Sequence, residues 1–230
     1  NVTNNFRNSK ISEINYNNWT FGSLLILFSN LFIPSLPFKS PSWMPSFIER
    51  LLFKNNSKYI PDDTETEDEI CVIFINGIMS EEKIVNKNKQ LLKKILNRPV
   101  NIIHNVTDSL IVDLLECLIG KQTDDLTEPS TKTLYTLSQK LHDSEIKKII
   151  LICHSQGTII TGKAIKNLKL LGLDKEEYVK KIEIYAFSNC SSDMTYIEKN
   201  YPYIESFANE NDLVAKMGCN CCDDIKELIN

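Results

Sequence analysis

The feature that most constrains the fold is a stretch in which an apolar run ends at a serine and a helical pattern begins directly after it. Residues 149–152 are Ile-Ile-Leu-Ile, a continuous apolar run typical of a strand buried on both faces of a parallel sheet. The run leads into the segment CHSQG at residues 153–157, and from Thr158 apolar residues recur at helical spacing. The sequence therefore predicts a strand, a sharp turn with Ser155 at its tip, and a helix.

The residues on either side of Ser155 fit a turn that reverses the chain tightly. Such a turn requires small side chains two positions before and two positions after the serine, because larger ones would collide. Gly157 meets the second requirement, and Cys153 meets the first with a small side chain that is not glycine. An ordinary strand-to-helix turn is the alternative interpretation. The flanking strand and helix patterns favour a nucleophilic serine, held above the sheet beside the N–H groups that open the helix.

Strand and helix patterns alternate along most of the chain. Apolar runs predict strands at residues 70–75, 100–103, 149–152, 182–187 and 203–208. Helical periodicity predicts helices at residues 81–97, 109–119 and 131–142, and another after Ser155. This alternation is typical of α/β proteins, so we predict a mostly parallel central sheet with helices on both faces.

Composition divides the chain into three predicted regions. Residues 1–60 form an N-terminal apolar and helical segment, residues 61–69 an acidic solvated loop, and residues 70–230 the α/β domain. Within the first region, residues 19–53 are interrupted by prolines, and no part of them is apolar for the roughly 20 residues that crossing a bilayer takes. They are predicted to pack on the domain, to form a lid, or to make peripheral contact with a membrane.

The net charge limits the kinds of partner that the chain can bind, and the cysteine content indicates its cellular compartment. The formal net charge is −4, with 26 basic and 30 acidic residues, which offers no electrostatic surface for nucleic acid. The seven cysteines are irregularly spaced, and an odd number without a framework favours a reducing, cytoplasmic location, with membrane association through residues 19–53 left open. Cys219, Cys221 and Cys222 lie close together, but without a nearby histidine or a second ligand pair they predict free thiols and no metal site.

Two other predicted strands end at residues that suit a catalytic site. The strand at 70–75 runs into Asn76-Gly77-Ile78, a glycine turn that exposes backbone N–H groups where negative charge could develop. The strand at 203–208 is followed by a loop that contains Asp212, and α/β sheets place their sites at the carboxyl ends of strands. Asp212 is therefore the candidate acid, with an ordinary turn aspartate as the alternative. Asp193, after the preceding strand, is the reserve acid.

Three blocks of the sequence resemble the serine-type α/β-hydrolases, in particular their lipase-like and serine esterase branch. VIFINGI resembles the family's strand with its oxyanion loop, ILICHSQGTII its nucleophile elbow, and FANENDLVA its acid-bearing loop. The resemblance covers about residues 69–212. It implies an α/β-hydrolase fold and a cofactor-free hydrolysis of a carboxylic ester, with a lipid-like substrate favoured by the apolar N-terminal segment.

The resemblance also implies a role for individual residues. Ser155 matches the nucleophile, Asp212 the acid, and the backbone N–H groups of Ile78 and Gln156 the oxyanion donors. Gly77 matches the glycine of the oxyanion loop, and Gly157 the second glycine of the elbow. The family commonly has a histidine at the position of His154, directly before the nucleophile, where it does not act as the base.

The chain departs from the family because no histidine follows Asp212. Its three histidines are His104, His142 and His154, and none occupies the position of the general base. A serine needs a base within hydrogen-bond reach to be a competent nucleophile at neutral pH. We expect that the sequence ends before its base. The alternatives are a catalytically inactive scaffold or binding protein with a hydrolase fold, and a thioesterase or acyltransferase that uses the same serine.

Overall fold

The computed structural model describes residues 57–63, 69–77, 82–105, 126–191, 194 and 201–208. Six strands and four α-helices are found in these ranges. The strands are β1 (Lys58–Ile60), β2 (Ile70–Ile75), β3 (Val100–His104), β4 (Lys148–His154), β5 (Ile182–Phe187) and β6 (Tyr203–Phe207). The helices are α1 (Glu82–Leu96), α2 (Glu128–His142), α3 (Gln156–Lys166), which continues into a 3₁₀ helix (Asn167–Leu171), and α4 (Glu176–Val179).

The strands form one mixed sheet in the order β1-β3-β2-β4-β5-β6. β1 is antiparallel to β3, and every other pair is parallel. β4 lies at the centre, where its residues pair with β2 on one side and with β5 on the other. The chain is therefore an α/β protein, as predicted, and the turn after β4 opens at the middle of the carboxyl edge of the sheet.

The two faces of the sheet are covered by different helices. On one face, Ile73, Leu151 and Ile184 pack with α2 and α3 in the larger apolar core. On the other face, Phe74 and Ile152 pack in a smaller core with Val85 and Leu92 of α1. Both faces of the central strands are buried because side chains alternate between the faces, and this explains why β2 and β4 read as continuous apolar runs.

The structure differs most from the predicted boundaries at the edge strand β1 and at the start of α2. Residues 58–60, which we assigned to the N-terminal segment, pair with β3 as the edge strand β1. α2 begins at Glu128 rather than at residue 131. Thr127 caps α2 in an extended conformation, with Pro129 in the first turn, where a missing N–H costs nothing. The Ser130 hydroxyl donates to the Thr127 carbonyl oxygen at 2.9 Å, so residues that looked like a polar loop are the start of a helix.

Asp62 is buried, although it belongs to the run predicted as a solvated acidic loop. Only 4% of its side chain is exposed, and its carboxylate lies 2.9 Å from Lys93 Nζ and 3.5 Å from Lys89 Nζ, both on α1. Its backbone N–H donates to Asn101 Oδ1 of β3 at 3.1 Å, and Lys89 Nζ also donates to the Pro61 carbonyl oxygen at 3.1 Å. Asp62 therefore ties the segment after β1 to both α1 and β3.

Substituting Asp62→Asn is expected to lower the free energy of unfolding by about 2 kcal/mol, because it leaves the buried Lys89 ammonium without its counter-charge. The value lies below the usual cost of breaking a buried pair since asparagine keeps an acceptor and Lys93 reaches solvent. Urea unfolding measures the change. Glu82→Gln is the matched control, since the Lys58–Glu82 pair is about half exposed on both sides and contributes about 0.5 kcal/mol or less. Equal effects of the two substitutions would contradict this account of Asp62.

Several predictions fall on residues outside the described ranges. These are the N-terminal segment up to residue 56 with its residues 19–53, the helix at 109–119, most of the acidic loop, Ile78, Asp193, Asp212, and the cysteines at 219, 221 and 222. Among the helices that the structure describes, none has the length and apolar composition needed to cross a membrane.

Candidate active site

Ser155 is the single residue between β4 and α3. β4 ends at His154 and α3 begins at Gln156, so the reversal of the chain takes place at Ser155. Its backbone torsion angles are φ 52° and ψ −124°, a region that residues other than glycine rarely adopt. Holding one residue there costs about 1–3 kcal/mol and persists only where the surroundings impose it.

Hydrogen bonds on both sides of Ser155 impose this conformation. Its N–H donates to the Phe187 carbonyl oxygen at 2.9 Å and so extends the β4–β5 ladder by one bond. Its carbonyl oxygen accepts from the Thr158 N–H at 2.8 Å, the first bond of α3. The N–H of Ser155 therefore continues the hydrogen bonding of the sheet, and its carbonyl oxygen begins the hydrogen bonding of α3. The positive φ of Ser155 allows one residue to do both.

Gly77 brings the end of β2 against the serine. A Cβ at this position would lie 2.9 Å from Ser155 Cβ and 3.0 Å from His154 Nδ1. The first distance is shorter than Cβ atoms show in proteins and the second is at the tight end of real contacts, so glycine is what allows this approach. The backbone after β2 therefore lies directly beside Ser155, at the start of the loop predicted to carry an oxyanion donor. Ile78, the donor predicted from that loop, lies outside the described residues.

Gly157 lets the first turn of α3 lie on the backbone of β2. A Cβ at Gly157 would lie 2.4 Å from the Ile75 carbonyl oxygen and 2.9 Å from that of Asn76. We predicted a small residue here from the tightness of the turn, and the structure shows that the neighbouring strand is what a larger side chain would strike. The N–H groups of this first turn have no partners within the helix, apart from the Thr158 N–H that caps back to Ser155. Gln156, with the N–H predicted as an oxyanion donor, is the first of them.

The side chains of Asn76, Asn105 and Gln156 form a hydrogen-bonded network beside the serine, a role that the sequence did not indicate for them. The Asn76 side chain accepts from the Asn105 N–H at 2.8 Å and donates to the Asn105 carbonyl oxygen at 3.0 Å. Asn76 Nδ2 also donates to the Gly77 carbonyl oxygen at 2.9 Å, and Asn105 Nδ2 donates to Gln156 Oε1 at 2.5 Å. This amide network connects the ends of β2 and β3 to the residue after the serine.

Replacing Asn76 with alanine is expected to lower the free energy of unfolding by about 2 kcal/mol, because the buried N–H and carbonyl of Asn105 lose their partners. The effect should also be local. Hydrogen exchange at the Asn105 amide should accelerate more than exchange at residues in the middle of β3. An unchanged exchange rate at Asn105 in the folded variant would contradict the network.

The Cys153 thiol, two residues before Ser155, is a second candidate nucleophile at the turn. It is buried, its S–H points to the Tyr185 carbonyl oxygen at 3.7 Å, and burial raises its pKa to about 12. Because the reactive form of cysteine is the thiolate, Cys153 stays a neutral thiol at physiological pH. Ser155 is thus the better placed nucleophile of the two.

The three histidines of the chain lie at different places in the fold. His142 ends α2 ahead of β4, at the amino edge of the sheet, where its Nδ1 bonds to the Ser138 carbonyl oxygen at 2.7 Å. His104 is buried at the end of β3, two strands away from β4. His154 packs against Gly77 beside the serine. None of the three forms a hydrogen bond with the Ser155 hydroxyl in the described part of the chain.

The structure places Ser155, His154, Gln156, Gly77 and Gly157 together at one point on the carboxyl edge of the sheet. Asp212 and Asp193, the predicted acids, lie outside the described residues. Within the described ranges, no group of three or more histidine, cysteine or acidic side chains is arranged to hold a metal ion. The site combines a strained serine, a helix N-terminus and a glycine turn, which together suit attack on a carbonyl carbon.

Comparison with known proteins gives a distant likeness among solved structures. No family model matches the chain, and no curated protein is similar to it in sequence. Among solved structures, it is similar to Est1E from Butyrivibrio proteoclasticus. The two chains share 12% identity with a TM-score of 0.32, and the match covers 76% of this chain and 98% of that one.

Proposed function

We propose that this protein is a serine hydrolase of the esterase or lipase type, which cleaves a carboxylic ester through an acyl-serine intermediate. The observation that carries the proposal is the backbone of Ser155, held at φ 52° and ψ −124° between a buried parallel strand and a helix N-terminus. Residues held in such sparsely populated conformations cluster at active sites. The close approach of Gly77 supports the same assignment, since it brings a second backbone segment beside the serine.

In the proposed reaction, Ser155 Oγ forms a bond to the ester carbonyl carbon while its proton passes to a base. The carbonyl electrons move onto oxygen, and that oxyanion rests on the N–H groups of Gln156 and Ile78. Collapse of the intermediate expels the alcohol with the proton and leaves an acyl-serine, which water then hydrolyses. Each oxyanion donor would contribute about 10²- to 10³-fold in rate. We assign the acid to Asp212, with Asp193 in reserve, on the order of residues in the family resemblance.

The proposed substrate is a small-molecule or lipid ester, and the reaction needs no cofactor. The apolar residues 19–53 support a lipid-like acyl group and peripheral contact with a membrane, in a protein of the cytoplasm. A thioester offers the same carbonyl to the same serine, so thioesterase and acyltransferase activities belong to the same proposal.

A second function is favoured by one observation, the placement of the histidines. Because none of them bonds to the Ser155 hydroxyl in the described residues, the hydroxyl has no base there to activate it. A protein that binds an ester or lipid at this site without turning it over would need no base.

Hydrolysis of p-nitrophenyl esters of increasing acyl length distinguishes the two functions. The esterase proposal predicts release of p-nitrophenol above the spontaneous rate, with a preference among acyl lengths. Binding of the same esters, seen as a rise in melting temperature without release of p-nitrophenol, would support the non-catalytic function. An acyl thioester assayed in parallel shows whether thioesters are preferred.

A further inference from the structure

The carbonyl oxygen of Ser155 accepts three hydrogen bonds. Thr158 supplies two of them, from its N–H at 2.8 Å and from its hydroxyl at 2.7 Å, and the Cys190 thiol supplies the third at 3.3 Å. A carbonyl oxygen has two lone pairs, so this acceptor is more than saturated. Since the direction of this carbonyl is set by ψ of Ser155, the three donors hold the torsion angle that turns the chain from strand to helix.

The Thr158 hydroxyl is at the centre of this arrangement. It donates to Ser155 and accepts from the backbone N–H of Cys190 at 3.1 Å, in the loop that follows β5. Thr158 has no exposed surface, and Cys190 is 5% exposed. The hydroxyl therefore links the strained serine to a buried part of the neighbouring loop, where water has no access to replace it.

A second threonine on α3 makes a similar bond that does not involve the serine. The Thr161 hydroxyl donates to the Gly157 carbonyl oxygen at 2.7 Å, and Thr161 is also without exposed surface. Bonds from threonine to a carbonyl one turn earlier are common in helices and do not by themselves indicate function. What separates Thr158 from Thr161 is that its acceptor is the residue in the strained conformation, whereas the Thr161 side chain bonds to Gly157 and to the Cys153 thiol of β4.

We propose that Thr158 is a positioning residue, whose hydroxyl holds the Ser155 carbonyl and so keeps the serine hydroxyl in place for attack. The inference rests on the proposed function, in which Ser155 is the nucleophile. In this proposal, Thr158 does not touch the substrate and affects the reaction only through the backbone of Ser155. Loss of the Thr158 hydroxyl lets ψ and φ of Ser155 relax towards an ordinary helix N-cap, which moves the nucleophile.

The test compares three variants of the full chain. Thr158→Val keeps the shape of the side chain and removes its hydroxyl, Thr158→Ser keeps the hydroxyl and removes the methyl group, and Thr161→Val removes the matched hydroxyl one turn later. The rate of covalent labelling by a fluorophosphonate probe is measured under conditions in which circular dichroism shows all variants to be folded. The backbone torsion angles of Ser155 are measured by crystallography for the same set.

Thr158→Val is expected to label about 10- to 100-fold more slowly than the wild type, the cost of a nucleophile displaced by about 1 Å. Thr158→Ser should restore most of the rate, and Thr161→Val should label at nearly the wild-type rate. Similar rates for Thr158→Val and Thr161→Val would overturn the inference. If the wild type is not labelled, the proposed function fails, and the torsion angles then test only whether Thr158 holds the backbone of Ser155. A φ of Ser155 near its wild-type value in Thr158→Val overturns the inference, whereas a shift in that variant alone supports the hold on the backbone without a role in attack.

Discussion

Replacing Ser155 with alanine is expected to lower the rate of ester hydrolysis by about 10³-fold or more, down to the level of catalysis without a covalent intermediate. The substitution removes the only atom that bonds to the carbonyl carbon and leaves the oxyanion donors in place. The stability of the fold should be nearly unchanged. The hydrogen bonds that hold the backbone of Ser155 do not involve its side chain, so alanine should keep the same backbone conformation. Steady-state kinetics on a p-nitrophenyl ester measure the change.

Ser188 provides the matched control for Ser155. It follows β5 as Ser155 follows β4, it has the same φ of 52°, and its N–H extends the sheet by a bond to the Phe207 carbonyl oxygen at 2.8 Å. Residues 189–191, which directly follow Ser188, are not helical, so the residue after Ser188 does not open a helix as Gln156 does after Ser155. Ser188→Ala should retain the wild-type rate. Loss of activity in Ser188→Ala but not in Ser155→Ala would show that the nucleophile has been assigned to the wrong strand.

Substituting Gly157→Ala is expected to destabilise the fold by about 3 kcal/mol or more, at the upper end of what overpacking costs. The added methyl group would lie 2.4 Å from the Ile75 carbonyl oxygen. The position of the methyl group is fixed by the backbone of α3, and the oxygen belongs to the backbone of β2, so no change of rotamer can relieve the clash. α3 would have to move away from β2. Because α3 begins at the residue after the serine, the same movement should reduce any activity at Ser155.

Gly172→Ala separates the steric cost from the conformational one. Gly172 has φ 67°, but nothing lies within 4 Å of the position that its Cβ would occupy. This control should therefore cost about 1–2 kcal/mol, the usual price of the left-handed conformation for alanine. Thermal and urea unfolding of both variants give the comparison. A Gly157→Ala variant no less stable than Gly172→Ala would mean that α3 does not contact β2 as closely as described.

Much of the fold could be predicted from sequence because the central strands are apolar on both faces. β2 and β5 have the predicted limits, and β4 differs only at its ends. β1 could not be predicted, since three residues are too few to show a period and only their pairing with β3 makes them a strand. Asp62 reads as one more acid in an acidic run, because the lysines that bury it come later in the chain, on α1.

Some features of the candidate site depend on neighbouring residues in the sequence, and others depend on contacts between distant residues. The turn at Ser155 is encoded in consecutive residues, so the strand, the serine and the glycine could be recognised together. The Asn76–Asn105 and Asn105–Gln156 bonds join residues 29 and 51 positions apart. Asparagine after a strand is common in turns, and nothing local distinguishes these two from others. The Thr158–Cys190 bond, across 32 positions, was unpredictable for the same reason.

The most direct test of the central claim is to identify the residue that a fluorophosphonate probe modifies. The purified protein is treated with the probe, digested, and analysed by tandem mass spectrometry, with Ser155→Ala treated in parallel. The account predicts one phosphonylated residue, Ser155, and no adduct in the variant. Modification of a different residue, or no adduct on the wild-type protein, would contradict the assignment of Ser155 as an activated nucleophile.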